Sequence, residues 1–173
     1  MNPTPNHQDT VRLRASEGET AAYQGLARAV RAAPMPDNQL LAHLPLYLTR
    51  ASLSHILFMS DLYRQVLDVH GDIVEFGTRW GRNLALFLSL RNSLEPHNYT
   101  RRVIGFDTFE GFASLAAEDG HDAILKPGHL AVSAQWEVEL ARLLEHHEAL
   151  APRPALRRFE LVKGDVCQTL PAW

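Results

Sequence analysis

The sequence predicts an α/β fold, a parallel sheet with helices packed against it. Three observations carry this. Short apolar runs at Ile73–Phe76, Arg102–Phe106 and Phe159–Val162 have strand character, and each stops at a polar or glycine-containing segment. Helical patterns separate these runs, and strands that alternate with helices join through right-handed crossovers into a parallel sheet. The runs are nearly all apolar, as expected of strands covered on both faces.

Residues 1–20 are polar and contain Pro3, Pro5 and Gly18, which reads as a mobile arm. Ala21–Ala33 places Leu26 and Val30 four apart in an Ala-rich background, a short helix with a narrow apolar face. Pro34 and Pro36 stop it. Asp37 is placed to cap a second short helix through Leu44, and Pro45 breaks the chain again. The strongest helical signal runs from Ser52 to His70. There Leu53, Ile56, Leu57, Tyr63, Val66 and Leu67 recur at spacings of three and four, with Gly71 as the residue just past the end. After the first strand, Asn83–Leu90 reads as a helix rich in Leu, Ala and Phe, followed by a polar loop from Arg91 to Arg101. The second strand ends at Asp107. Residues 108–132 hold Gly111, Gly120, Pro127 and Gly128, a connection long enough to be functional or to contain a short helix. Ser133 is placed to cap a helix over Ala134–Leu150, with Val138, Leu140, Leu143 and Leu144 on its apolar side. Pro152 and Pro154 break the chain before the third strand, which runs into Lys163, Gly164 and Asp165.

Composition sets limits on function. A chain of 173 residues fits one domain. With 17 Lys and Arg against 20 Asp and Glu, the net charge of −3 argues against a protein that works by holding nucleic acid phosphates. The single cysteine, Cys167, excludes an intramolecular disulfide and a thiolate zinc cluster, reads as a small buried thiol, and points to a reducing cytoplasm. No apolar run approaches the roughly 20 residues that span a bilayer, and Met1–His7 lacks the features of a secretory signal. The nine histidines form no coherent cluster and read as solvated. Trp80 and Trp136 read as packing residues. No G-x-S-x-G supports serine hydrolase chemistry.

The chemistry gathers at the carboxyl ends of the strands, where open α/β sheets bind ligands. The first strand runs into Glu75-Phe76-Gly77-Thr78-Arg79-Trp80-Gly81, an E-x-G-x-x-x-G pattern. Gly77 permits a sharp turn and Gly81 lets the next helix pack closely. This is neither the G-x-G-x-x-G dinucleotide fingerprint nor a P-loop, yet its backbone N–H groups suit a carboxylate. Asp107 follows Gly81 by 26 positions, where an acid accepts hydrogen bonds from both ribose hydroxyls. Thr108 and Phe109 come next, with Phe109 placed to pack on an adenine face. Asp165 is placed to accept from an exocyclic amine. Three acids on three strand ends suit a nucleoside without a pyrophosphate, which describes S-adenosylmethionine better than NAD.

GDIVEFGTRWGRN, RVIGFDTFEGF and FELVKGD together resemble class I S-adenosylmethionine-dependent methyltransferases. More narrowly they are similar to the macrocin O-methyltransferase-like group, which methylates sugar hydroxyls on natural products. The resemblance covers residues 46–173, leaving 1–45 as a flexible arm and helical N-terminal extension. It implies a Rossmann-like doubly wound parallel sheet, here its N-terminal half only. It also implies an S-adenosylmethionine-dependent O-methyltransferase that acts on a small-molecule hydroxyl acceptor, a sugar or natural product. No nucleic acid or membrane partner is expected, and a homo-oligomer is compatible with it. By the resemblance, Glu75, Gly77, Thr78 and Arg79 lie around the methionine end of the cofactor, in a loop closed by Gly81. Asp107, Thr108 and Phe109 fall near the ribose and adenine, and Asp165 with Val166 near the base. Thr49 and Ser133 match other cofactor contacts loosely.

Members of that family continue into a further strand whose acids bind a divalent metal such as Mg, with the catalytic groups nearby. Those ligands and the catalytic base are not assigned in this chain. The expectation is therefore a form truncated after the third strand, with Ile73–Phe76 left as an unpaired edge. The alternative is a non-catalytic nucleoside-binding or interaction module. An NAD-dependent oxidoreductase is disfavoured, because Arg79 would crowd a pyrophosphate.

Overall fold

The computed structural model describes residues 15–112 and 126–173. Contacts divide the chain into two compact units, one over His7–Phe58 and one containing Met59–Trp173. The first unit holds helix α1 (Glu17–Arg31), helix α2 (Asp37–Leu40), a 3-10 turn at Leu44–Tyr47 and the start of helix α3 (Arg50–Gln65).

Helix α1 begins four residues earlier than its apolar spacing suggests. Ser16 forms a capping box: the Glu19 N–H donates to Ser16 Oγ at 3.2 Å, and the Ser16 N–H donates to Glu19 Oε2 at 2.8 Å. The reading of residues 1–20 as an arm therefore fails from Ser16 onward, while residues 1–14 lie outside the described residues. Asp37 opens α2 without capping it, because Pro36 is the cap position and no side-chain bond forms there. The helix stops at Leu40, and Pro45 sits in the first turn of the 3-10 segment, where its missing N–H is tolerated. No residue between 15 and 58 is buried.

Helix α3 ends at Gln65, five residues short of His70. The carbonyls that follow are gathered by one side chain. Arg101 Nη2 donates to Val66 O and Val69 O, both at 2.8 Å, and Nη1 donates to Gly71 O at 2.9 Å. A guanidinium with five donors can collect orphan carbonyls at a helix end. Gly71 is thus not the residue that closes α3.

Among the described residues one parallel sheet forms, in the order β1 (Ile73–Phe76), β2 (Val103–Asp107), β3 (Phe159–Lys163). Ile73 pairs with Val103, and Val103 with Phe159. Only β2 is buried along nearly its whole length. In β1, Val74 and Phe76 remain 40% and 55% exposed, so the expected cover on both faces holds for the central strand and not for this edge.

Helix α4 (Arg82–Leu94) packs against β2, and helix α5 (Trp136–Ala149) packs against α4 and β3. Their core includes Leu84, Leu88, Val103, Leu140, Leu144 and Phe159. Leu140 and Leu144 supply the buried side of α5, whereas Val138 and Leu143 are exposed. Gln135, in a left-handed conformation with φ 63°, precedes α5, so the cap expected at Ser133 is not formed. Ser133 offers only its carbonyl to the Trp136 N–H, at 3.1 Å. Arg91, read as the start of a polar loop, lies within α4 and is fully buried. It pairs with Glu148 at 3.2 Å, and Arg158 approaches the same carboxylate at 3.5 Å. His147 is half-buried against Ser89, not solvated. Cys167, expected to be a buried thiol, is exposed on helix α6 (Val166–Thr169). Among the described residues no helix is long and apolar enough to cross a membrane.

Candidate functional site

The carboxyl ends of the three strands are tied to one another by backbone and carboxylate bonds. Past β1, Gly77 takes φ 79° and donates its N–H to Phe106 O at 2.9 Å. This carries the β1–β2 ladder one residue further before the chain turns. The turn closes when the Gly81 N–H donates to Thr78 O at 2.9 Å. Gly81, at φ 78°, then starts α4, and a Cβ there would overlap the Leu140 side chain. Gly81 therefore serves the packing of α4 against α5.

Asp107 braces two loops at once. Its Oδ2 accepts from the Arg79 N–H at 2.7 Å, and its Oδ1 accepts from the Phe109 N–H at 2.5 Å. Arg79 and Phe109 both have left-handed backbones, at φ 50° and 59°. Non-glycine residues adopt that conformation only where surrounding structure offsets its strain. Thr108 Oγ1 donates to Gly111 O at 2.7 Å, and the Phe112 N–H donates to His129 O at 3.2 Å. From β3, the Gly164 N–H donates to Asp107 O at 2.9 Å. Asp165 caps α6, with its Oδ1 accepting from the Cys167 N–H at 2.9 Å. The long connection over 108–132 is described only at its two ends, where turns form; residues 113–125 lie outside the described residues.

These loops enclose a cavity of about 330 Å³, within the size range of small-molecule sites. Of the residues singled out in the sequence, Gly77, Arg79, Asp107, Thr108, Asp165 and Val166 line it. Four others do not. Gly81 is committed to packing. Thr78 is buried beneath the turn, close to Gly105, with its Oγ1 lacking a hydrogen-bond partner. Glu75 is directed to the start of α4, where Asn83 Nδ2 donates to Oε1 at 2.6 Å. Burial pushes the Glu75 carboxyl above its ordinary range; Asn83 and Arg82 oppose this in part, and the charge of Asp107 adds to it. Glu75 Oε2 is buried without a hydrogen-bond partner.

Phe109 departs from its expected place on an adenine face. Its side chain is 4% exposed and belongs to the core with Val132 and Leu140. The aromatic lining comes instead from Phe76, Phe106 and Phe112. Phe112 stands three positions after Phe109 in GFDTFEGF, and nothing in that spacing says which ring faces inward. Phe76 and Phe106 are register partners with ring centroids 5.6 Å apart, a relationship that strand pairing alone creates. Trp80 and Trp136 meet edge to face at 5.0 Å against the core. Thr49 accepts the Ser52 N–H at 3.1 Å at the start of α3. Among the described residues no group of three or more His, Cys, Asp or Glu converges to hold a metal ion.

No protein-family model matches the sequence, and no curated protein matches it. Solved structures do. The crystal structure of CalS11, a calicheamicin methyltransferase, aligns at 39% identity and a TM-score of 0.88, over 92% of this chain and 63% of that one. The apo structure of CalS11, TDP-rhamnose 3′-O-methyltransferase, aligns at 36% identity and a TM-score of 0.77, over 92% and 61%. The chain thus spans less than two thirds of the length of the structures it matches. Its sheet and flanking helices match the N-terminal half of a Rossmann-like methyltransferase fold, and in fold and sequence the chain is similar to CalS11.

Proposed function

We propose that this chain is the cofactor-binding part of an S-adenosylmethionine-dependent O-methyltransferase whose acceptor is a hydroxyl of a sugar or natural product. The observation that carries the reading is the cavity at the ends of three parallel strands, with Asp107 and Asp165 beside three phenylalanine rings. Each Asp107 oxygen accepts one backbone N–H and keeps a second lone pair, which suits the two ribose hydroxyls. Phe112 offers an apolar surface for the base, and Asp165 Oδ2 an acceptor for its amine. The Arg79 side chain, with Nε buried and unpartnered, suits a carboxylate. The orphaned Glu75 Oε2 suits an ammonium group, since a buried carboxylate oxygen needs a donor.

S-adenosylmethionine, when bound, supplies a methyl group activated on a sulfonium centre. The described residues contribute binding and orientation, which can carry much of the barrier reduction in such a transfer. In this reading a divalent metal such as Mg would lower the pKa of the acceptor hydroxyl. The macrocin-like sugar specificity and a cytoplasmic location are part of the same proposal.

Calorimetric titration with S-adenosylhomocysteine tests it. One site per chain is expected, with no heat from NAD. A folded chain that takes up neither S-adenosylhomocysteine nor S-adenosylmethionine would remove the reading.

A further inference from the structure

We propose that Asn83 is a positioning residue that holds the Glu75 carboxylate by one oxygen and thereby commits the other, Oε2, to an incoming ammonium group. The inference rests on the reading of the cavity as a site for the amino-acid end of the cofactor.

The geometry is specific. Glu75 stands on the edge strand, one residue before the Phe76–Gly77 wall of the cavity. Its Oε1 accepts a 2.6 Å bond from Asn83 Nδ2, on the first turn of α4. Its Oε2 is buried and has no hydrogen-bond partner. Buried carboxylate oxygens in native proteins are satisfied, so an orphaned one on the residue next to the cavity-lining Phe76 marks a place for a donor. The Asn83 bond fixes the carboxylate through one oxygen and leaves the other without a partner. An amide is suited to the task, because it donates without adding charge and so leaves the carboxylate's attraction for a cation intact.

The same bond opposes the effect of burial on the carboxyl. Among the described residues, the charged groups that act on Glu75 are Arg82, from α4, and Asp107, from β2. Burial and Asp107 favour the neutral acid, while the Asn83 bond and Arg82 favour the carboxylate. Without Asn83 the balance moves toward the neutral acid, which attracts an ammonium group far less.

Two readouts separate this role from general support of the fold. The Glu75 carboxyl is followed by carbon-detected NMR in the ligand-free protein, assigned by its loss in Glu75→Gln. Asn83→Leu is expected to move its titration midpoint to higher pH. Asn83→Ser, too short to reach Oε1, is expected to do the same and covers the case in which the leucine variant does not fold. S-adenosylhomocysteine affinity is expected to fall about tenfold or more in both variants, the scale of a hydrogen bond to a charged group. The loss should be largest on the acid side of the pH profile. An unmoved Glu75 midpoint in a folded variant overturns the proposal, as does wild-type affinity with an unchanged pH profile. If the unmodified chain fails to bind S-adenosylhomocysteine, the functional reading falls, and the ligand-free titration still decides whether Asn83 positions Glu75.

Discussion

The backbone N–H of Arg79 donates to Asp107 Oδ2 at 2.7 Å, so the carboxylate that ends the central strand also fixes the turn after its neighbour. The other oxygen holds Phe109, and both held residues are left-handed. One side chain therefore shapes two walls of the cavity before any ligand arrives.

Replacing Asp107 should damage stability and binding together. Asp107→Ala strands two backbone donors beside strained residues, and a loss of about 1–3 kcal/mol in urea denaturation is expected. S-adenosylhomocysteine binding should become undetectable by calorimetry. Asp107→Asn should fall between, since its amide can accept at only one of the two N–H groups. A D107A protein with full stability would show that the two bonds contribute nothing.

Gly77 and Gly81 share almost the same backbone conformation, at φ 79° and 78°, but differ in their surroundings. Around Gly77 a Cβ would meet nothing, whereas at Gly81 it would overlap Leu140. Gly77→Ala is expected to destabilise by about 1–2 kcal/mol, the strain of a left-handed L-residue. Gly81→Ala should do more, adding the overpacking of a tight core. Pairing Gly81→Ala with Leu140→Ala in a double-mutant cycle should recover the steric part. Equal melting shifts for the two single glycine variants would contradict this account.

Glu148 is shared by two buried arginines, Arg91 and Arg158. Glu148→Gln leaves both guanidinium groups without a counter-charge, and a loss of about 3–5 kcal/mol is expected. Glu145→Gln, whose 3.9 Å pair with Arg157 is exposed, is the control. It should change stability by no more than about 0.5 kcal/mol. Chemical denaturation of the two variants side by side separates the cases.

The Tyr63–Glu95–Arg101 cluster should give stability a dependence on pH at both ends. Tyr63 OH donates to Glu95 at 2.6 Å, and Arg101 Nε donates to the same oxygen at 2.7 Å. Burial, then the adjacent Glu95, pushes the Tyr63 phenol well above its ordinary value of 10.0. Its contribution is fully present below that value and is lost as pH rises above it. Burial alone would raise Glu95, but the bonds from Arg101, Tyr63 and Asn98 outweigh it and hold its carboxyl below the ordinary 4.5. That contribution is present above the unfolded value and is lost as pH falls through the folded one. Tyr63→Phe should flatten the alkaline arm of a stability–pH curve, and Glu95→Gln the acid arm. The check is a series of denaturation midpoints across the pH range.

Much of this was readable along the chain. The strands were legible because each is a short apolar run bounded by turn residues, and local alternation needs no distant partner to be seen. The order of acids at the strand ends was legible for the same reason. The capping box at Ser16 and Glu19 was equally present in the sequence, and composition obscured it. The lining residues Phe76 and Phe106 were not legible, because register decides that they meet.

By itself the sequence determined the order of the strands and main helices, and that Asp107 and Asp165 end up at the carboxyl end of a parallel sheet. Tertiary structure alone decided that Phe109 turns into the core while Phe112 lines the cavity, that Arg91 is buried, and that α3 stops at Gln65. The reason is one of range. Periodicity and capping act within a few residues, so the chain displays them directly. The left-handed turn at Phe109 depends on a carboxylate at Asp107 and a core to receive the ring. The buried charge of Arg91 depends on Glu148, on another helix, and the end of α3 depends on Arg101, whose guanidinium reaches back to carbonyls more than 30 residues earlier.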